Sequence, residues 1–252
     1  MLTNTFTESG SNDEYKILFE TEDHKYFVSK NGGDLIERPS ATGIINTIPF
    51  WSIPYGAKHA AEAAAKHVHT LYGDEIDKTL LNYWKKAPDR HRDAAGDIGT
   101  AFHTCAHHFR TGDMDGVATF AENTPVTKRM THFIPWWIDL LKQGYADIAS
   151  EIILYHPELE YAGTCDAILK TPDGKFLVAD WKTGSIKDDG WLQVMAYQEA
   201  YSAMYDIDPE NWAPPWQINV MLTKTVVHET TPHKLGVFWR RFLRRVEDHY
   251  DV

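Results

Sequence analysis

Two apolar segments joined by a tight turn constrain this chain more than anything else in it. Gly163-Thr164-Cys165-Asp166-Ala167-Ile168-Leu169-Lys170 runs into Thr171-Pro172-Asp173-Gly174, and Phe176-Leu177-Val178-Ala179-Asp180-Trp181-Lys182 follows. Proline presets its own φ and glycine tolerates a positive one, so the tetrapeptide reads as a turn and its flanks as a β-hairpin. The hairpin brings Asp166 and Asp180 to one locality. Lys182, two residues past Asp180, projects from the same strand face. Two carboxylates and an ammonium converging on one sheet face suit metal-assisted hydrolysis. Carboxylate oxygens are hard ligands for Mg²⁺ or Mn²⁺, which activate water and offset charge on a phosphate. The lysine can orient or deprotonate the attacking water, or stabilise transition-state charge. Taken alone, Asp180-Trp181-Lys182 fits an ordinary hairpin with solvated side chains equally well.

The neighbouring segments add polar residues at informative spacings. Ala149–Tyr155 reads as the first strand of the core sheet, with Glu151 at its start. After the hairpin, Gly184–Gly190 is a polar loop carrying Lys187. Trp191–Tyr205 then reads as an amphipathic helix that places Gln193 and Tyr197, four apart, on one face. Upstream, Asp97 or Gly99-Thr100 can open a helix with His103 in its first turns. His103 and His107 share a helix face, a spacing that also invites a zinc site. Position 104 is threonine where a zinc protease carries glutamate, and no third-ligand helix follows, so that alternative is weaker. His107 and His108 read as helix-surface residues.

In this order the elements resemble the RecB-like branch of the PD-(D/E)XK nuclease superfamily. The likeness rests on Gly163/Asp166, Asp180/Lys182, Gln193/Tyr197 and the Gly99-Thr100-x-x-His103 helix start, and spans about residues 95–200. The resemblance implies an α/β, restriction-endonuclease-like core with a mixed central β-sheet flanked by helices. It implies Asp166, Asp180 and Lys182 as catalytic residues. His103, Asp166, Asp180 and the Trp181 backbone carbonyl would serve as metal ligands. Glu151 either joins the metal shell or is a strand-edge carboxylate. Gln193 and Tyr197 would guide the DNA strand. The activity implied is an Mg²⁺- or Mn²⁺-dependent DNA exonuclease in phage or bacterial recombination, repair or DNA processing, acting on DNA with free ends. Several relatives hold an iron–sulfur cluster on four thiolates, whereas this chain has Cys105 and Cys165 alone, so no such cluster is expected. No helicase motif is present, so any unwinding is expected from a partner; a helicase, or a single-strand annealing or binding protein, is the expected class of partner. A homo-oligomer is left open. A non-catalytic DNA-binding or assembly protein on the same fold is the alternative, and RNA as substrate stays open.

Charge cuts the other way. A net charge of −11 disfavours broad electrostatic attraction to nucleic acid, because DNA affinity comes largely from Lys/Arg contacts to phosphates. A local basic face and the metal would have to compensate. The strongest basic cluster is Arg240, Arg241, Arg244 and Arg245 in a closing helix over Lys234–Tyr250. It reads as a solvated helix face more readily than as a phosphate-binding one.

The remaining sequence reads as follows. Residues 1–13 are polar and expected to be disordered, and 14–252 to form a single domain with an N-terminal β/helical extension. Tyr15–Phe19 and Lys25–Ser29 alternate as strands around an Asn31-Gly32 turn. The alanine-rich Pro54–Tyr72 favours helix, Leu80–Lys86 a short helix before Pro88, and Lys128–Leu141 a core-packing helix despite Pro135. Trp136 and Trp137 are assigned to packing rather than base stacking. Gln217–Lys224 and Val226–Thr230 read as paired strands. At 252 residues with 43% hydrophobic content and a mean hydropathy of −0.43, the chain has ample core and no membrane span. Its polar N-terminus lacks a signal-peptide core, and a cytoplasmic location is the default.

Overall fold

The computed structural model describes residues 2–7, 13–46, 60–64 and 78–250. The N-terminal part is an antiparallel sheet of β1 (Leu2–Thr7), β2 (Glu14–Glu20), β3 (Lys25–Lys30) and β4 (Ile36–Arg38), in that order. Tyr15, Ile17 and Phe19 on β2, with Tyr26 and Val28 on β3, are buried, so period-two alternation gives the sheet one dry face. Residues 2–7 differ from the sequence expectation. Their polar composition points to disorder, yet all six pair with β2 because Phe6 is buried and stacks on Tyr15 at 5.0 Å between ring centroids. One aromatic anchor outweighs the polar remainder. The short α1 (Ala41–Ile45) follows, capped by the Ser40 side chain, which accepts from the Gly43 N–H.

Two helices come next, α2 (Lys78–Lys85) and α3 (Ala87–Thr111). Of the alanine-rich segment only 60–64 is described, as helix; the rest of that expectation lies outside the described residues. The start of α3 corrects the sequence reading. Pro88 ends nothing here beyond α2; it sits in the first turn of α3, where its missing N–H costs no bond. His103 therefore lies well inside a long helix, not in its first turns.

The chain continues through α4 (Met114–Ala118) and α5 (Thr124–Lys142), the latter with Pro135 inside it. The core strands are β5 (Ala146–His156), β6 (Tyr161–Lys170) and β7 (Phe176–Lys182). After α6 (Asp188–Tyr205) come β8 (Trp216–Val220), β9 (Thr225–His228) and α7 (Pro232–Tyr250). The central sheet has the order β5-β6-β7-β8-β9, antiparallel except for the parallel pair β7–β8, which α6 connects. It is a mixed five-stranded sheet flanked by helices.

Alternation along the strands sorts the side chains into two cores. Ala167, Leu169, Leu177, Ala179, Trp181 and Ile218 face α3 and α5, meeting Phe102, Phe133 and Trp137. Trp136 and Trp137 pack there, as the sequence suggested. On the other face Ile168 and Val178 meet Leu192 of α6 and Phe242 of α7, in a cluster that also takes in Ile17 and Val28 of the N-terminal sheet. The central sheet on one side and α7 and α1 on the others bury α6 over much of its circumference, so it is not the half-exposed amphipathic helix expected.

Candidate active site

The β6–β7 turn forms as its chemistry dictates. Gly174 takes φ +87°, and the Thr171 N–H closes the turn on the Lys175 carbonyl at 2.8 Å. Asp166 and Asp180 are both buried, Asp180 to 1% exposure. Lys182 Nζ lies 2.7 Å from Asp180 Oδ2 and donates to Gln193 Oε1 at 2.8 Å. Gln193 Nε2 in turn donates to the Tyr197 hydroxyl at 2.7 Å. The two α6 residues thus fix the lysine through a relay, and the Trp181 N–H donates to Asp166 Oδ2 at 2.6 Å. Trp181 meets the site through this amide, while its indole packs edge-on to Phe133 on the opposite core.

Gly163 has a physical reason for being glycine. A Cβ there would lie 2.6 Å from Tyr197 Cε1, closer than real carbon contacts allow. Gly163→Ala is therefore expected to displace the Tyr197 ring, costing roughly 1–3 kcal/mol. It should also loosen the hold of Gln193 on Lys182. Thermal melts, with Gly163→Ala beside Tyr197→Phe, check this; an alanine variant as stable as the parent would show that the ring has room to move.

The α3 helix supplies the other wall. His103, His107 and Arg110 follow the i, i+4, i+7 rhythm and face the β5–β6 pair. His103 Nδ1 lies 3.1 Å from Asp166 Oδ1, and His107 Nδ1 lies 2.8 Å from Ser150 Oγ. The two imidazoles engage separate partners, so the geometry does not assemble the zinc alternative. Arg110 was not singled out from the sequence, yet it is the best-buried cation here, with a side chain 1% exposed. Its Nε donates to Asp147 Oδ2 at 3.0 Å, Nη2 to the Ala149 carbonyl at 3.0 Å and Nη1 to the Asp166 carbonyl at 2.6 Å. The guanidinium also stacks over Trp137. The signal that could have found it is the spacing from His103, a polar stripe on a helix whose next positions, Phe102, Cys105 and Ala106, are core.

Arg110 bridges a defect in β5. The β5–β6 register shifts between Asp147 and Ala149, the two residues the guanidinium holds. Farther on, the ladder passes from Ser150–Ala167 to Ile152–Cys165, leaving Glu151 and Asp166 out of it. Glu151 has φ +50°, a left-handed conformation that costs a non-glycine residue of order 1–3 kcal/mol. The distortion turns its carboxylate to within 3.9 Å of His103 Nδ1. Glu151 therefore stands in mid-strand on a bulged segment, not at a strand start.

His103, Glu151 and Asp166 each offer a ligand atom, and these atoms all lie within 4.8 Å of one another. Asp180 stands beside this trio, with Oδ2 buried and, its close contact with Lys182 notwithstanding, without an aligned hydrogen bond. A hard, oxygen-rich donor set with one imidazole, plus a buried carboxylate oxygen lacking a hydrogen bond, fits a divalent cation such as Mg²⁺ or Mn²⁺.

Crowding shifts the titrations. Burial and the Asp166 charge raise Glu151 to about 8. Burial raises Asp180 to about 6, against the pull of Lys182. Burial opposes the protonation of His103, but Asp166 outweighs it and lifts the imidazole to about 9. Asp166 itself is pushed up by burial but held lower on balance by His103, Lys182 and the Trp181 N–H. Glu151, Asp180 and His103 all hold their protons to higher pH folded than unfolded. Their stabilising contribution is thus complete below the unfolded values and is lost as pH rises through the folded ones. In EDTA the protein is expected to lose on the order of 2–4 kcal/mol between about pH 5 and pH 9, and excess Mg²⁺ or Mn²⁺ to restore it at the alkaline end. Denaturant melts across that range check the sign; a flat profile in EDTA would contradict it.

A family model described as the PD-(D/E)XK nuclease superfamily matches residues 72–218, more than half of the chain. The chain belongs to the PD-(D/E)XK nuclease superfamily. No curated protein matches it. The superfamily match covers α3, the β5–β6–β7 sheet and α6, and thus contains every residue of the site just described. In PD-(D/E)XK terms the five-stranded mixed sheet with its flanking helices is the restriction-endonuclease-like core. The α7 arginines lie outside the matched range and divide in two. Arg241 pairs with Asp188 at 3.1 Å and Arg245 with Asp189 at 3.3 Å, tying α7 to the start of α6. Arg240 and Arg244 are exposed. Among the described residues no helix is long and apolar enough to cross a membrane.

Proposed function

We propose that this chain is an Mg²⁺- or Mn²⁺-dependent deoxyribonuclease of the RecB-like branch, an exonuclease acting in phage or bacterial recombination, repair or DNA processing. The observation that carries the reading is the trio His103, Glu151 and Asp166 converging within 4.8 Å beside the Asp180–Lys182 pair. These residues suit hydrolysis of a phosphodiester: three clustered carboxylates, Asp166 and Asp180 of them buried and Glu151 partly so, cost stability unless something compensates their charge.

His103, Glu151, Asp166 and Asp180 would hold the metal, with the Trp181 carbonyl as a further ligand. A bound divalent cation supplies positive charge to the scissile phosphate and a water of lowered pKa. The protein's own contribution is positioning. Arg110 and the Trp181 amide fix Asp166 from two sides. Burial favours the neutral form of Lys182, but Asp180 and Asp166 outweigh it, raise its pKa and keep the ammonium charged. The ammonium therefore acts as a donor at Nζ, orienting the attacking water or stabilising charge on the phosphate, while Gln193 fixes its direction. Gln193 lines the approach of the DNA strand, whereas Tyr197, 4% exposed, does not reach it and instead holds Gln193 from behind.

The test is cleavage of end-labelled linear and nicked-circular DNA with Mg²⁺, Mn²⁺, Zn²⁺ or EDTA, beside Asp180→Ala. Degradation of linear DNA that needs Mg²⁺ or Mn²⁺ and disappears in the variant is expected. Cleavage of the unbroken strand of the nicked circle, which has no ends, would make the enzyme an endonuclease. Binding without cleavage under every metal would favour an assembly protein on the nuclease fold.

A further inference from the structure

Beyond the metal site, the segment that follows Lys182 separates two clefts. One, of about 480 Å³, is lined by Lys182, Gln193, Lys187 and Asn46 and opens beside the proposed chemistry. The other, of about 550 Å³, lies between α5 and the β8–β9 hairpin and is lined by Arg129, Asn219, Met221 and Leu222. Gly184 and Ser185 border both, so the clefts meet across a low, small-residue sill.

Arg129 has an environment unlike that of the site's other cations. Lys182 faces Asp180 and Arg110 faces Asp147, but Arg129 pairs with no carboxylate among the described residues. Nη1 donates to the Pro125 carbonyl at 2.9 Å and Nη2 reaches the Thr183 carbonyl at 3.4 Å, while the buried Nε has no partner. In a chain of net charge −11, an arginine lacking an acid beside the proposed active site is held for an anion from elsewhere. Across the cleft, the hairpin tip presents Met221 and Leu222 to solvent at 39% and 49% exposure, an apolar edge against which a base can lie.

We infer that Arg129 and the Met221–Leu222 edge form a second nucleic-acid subsite, taking a single strand led from Lys182 over Gly184 and Ser185. Arg129 binds a backbone phosphate, and the hairpin tip supports a base. This subsite rests on the nuclease reading and extends it: the bound substrate is a single strand several nucleotides longer than the scissile step. A duplex would have to separate at the sill before entering.

Binding and turnover test the subsite separately. Anisotropy of labelled single-stranded oligonucleotides in Ca²⁺ reads binding with or without cleavage. Arg129→Ala is expected to weaken binding about tenfold, lower the salt slope by about one phosphate contact and raise KM more than it lowers kcat. Arg129→Lys should recover most of the salt slope. Leu222→Glu, at an exposed turn where folding is not at stake, should weaken binding by a similar factor. Long oligonucleotides should lose affinity in both variants, and dinucleotides, too short to reach the cleft, in neither. An unchanged salt slope and affinity in Arg129→Ala and Leu222→Glu would overturn the subsite. A wild-type protein that binds strands through these residues but never cleaves would leave the subsite standing and remove the nuclease reading instead.

Discussion

Arg110→Met is expected to destabilise the protein by roughly 3–5 kcal/mol, the range seen when one partner of a buried ion pair is removed. For a chain of this size that corresponds to a Tm loss of about 6–20 °C. Methionine preserves the contact with Trp137 but leaves the Asp147 carboxylate and the Ala149 and Asp166 carbonyls without their donors. Asp147 can regain water because its side chain is 24% exposed. The two carbonyls cannot do so as readily, and unmade buried hydrogen bonds carry most of the loss. Arg110→Lys should recover only part, since a single ammonium cannot span acceptors on both sides of the β5 register shift. The effect should reach activity as well, because the same carbonyls fix Glu151 and Asp166. Calorimetry of both variants decides the matter: a Met variant within 1 kcal/mol of the parent, to order of magnitude, would mean that the bulge holds itself.

Lys182→Ala is expected to reduce cleavage by about 10²- to 10⁴-fold while leaving a folded protein. Removing the ammonium leaves Asp180 buried at 1% exposure, a position in which a bare carboxylate is costly. Asp180 escapes that cost by protonation, for burial already raises it to about 6 with Lys182 pulling the other way. The variant therefore keeps its fold as a neutral acid. Its defect should lie in kcat, since the lysine meets charge that develops in the transition state, with DNA affinity nearly unchanged. Lys182→Arg should not restore turnover, because a planar guanidinium cannot occupy the 2.8 Å contact with Gln193 and the 2.7 Å contact with Asp180 in the same geometry. Single-turnover assays with matched binding curves read the split; wild-type turnover in Lys182→Ala would remove the lysine from the chemistry.

Legibility in the sequence followed the range of the physics involved. The β6–β7 hairpin and the Asp180–Lys182 pair depend on a four-residue turn and period-two alternation, both local, and the structure places them as read. Gln193 and Tyr197 share a helix face for the same kind of reason and do form their hydrogen bond. What escaped was non-local. Arg110 draws its importance from a bulge in a strand some forty residues away in sequence, which no window over α3 contains. Glu151 was found, but its left-handed backbone depends on the pairing of β5 with β6. The start of α3 was misplaced because Pro88 both ends one helix and begins the next. The arginine cluster was visible as charge, while its division between packing and solvent depends on where α6 begins.

The parallel pairing of β7 with β8 has a consequence for how the molecule comes into being. The β5–β6 and β6–β7 hairpins close over short loops and can form early, bringing Glu151, Asp166 and Asp180 near one another. The β7–β8 pair must wait for the whole of α6 to cross the sheet, a longer and entropically dearer closure. Gln193 and Tyr197 ride on that crossover. The acidic cluster is therefore expected to assemble first and its lysine clamp last, so pulse-labelling hydrogen exchange should protect β6 before α6. A nascent chain would hold its carboxylates together before it can direct them at a phosphate.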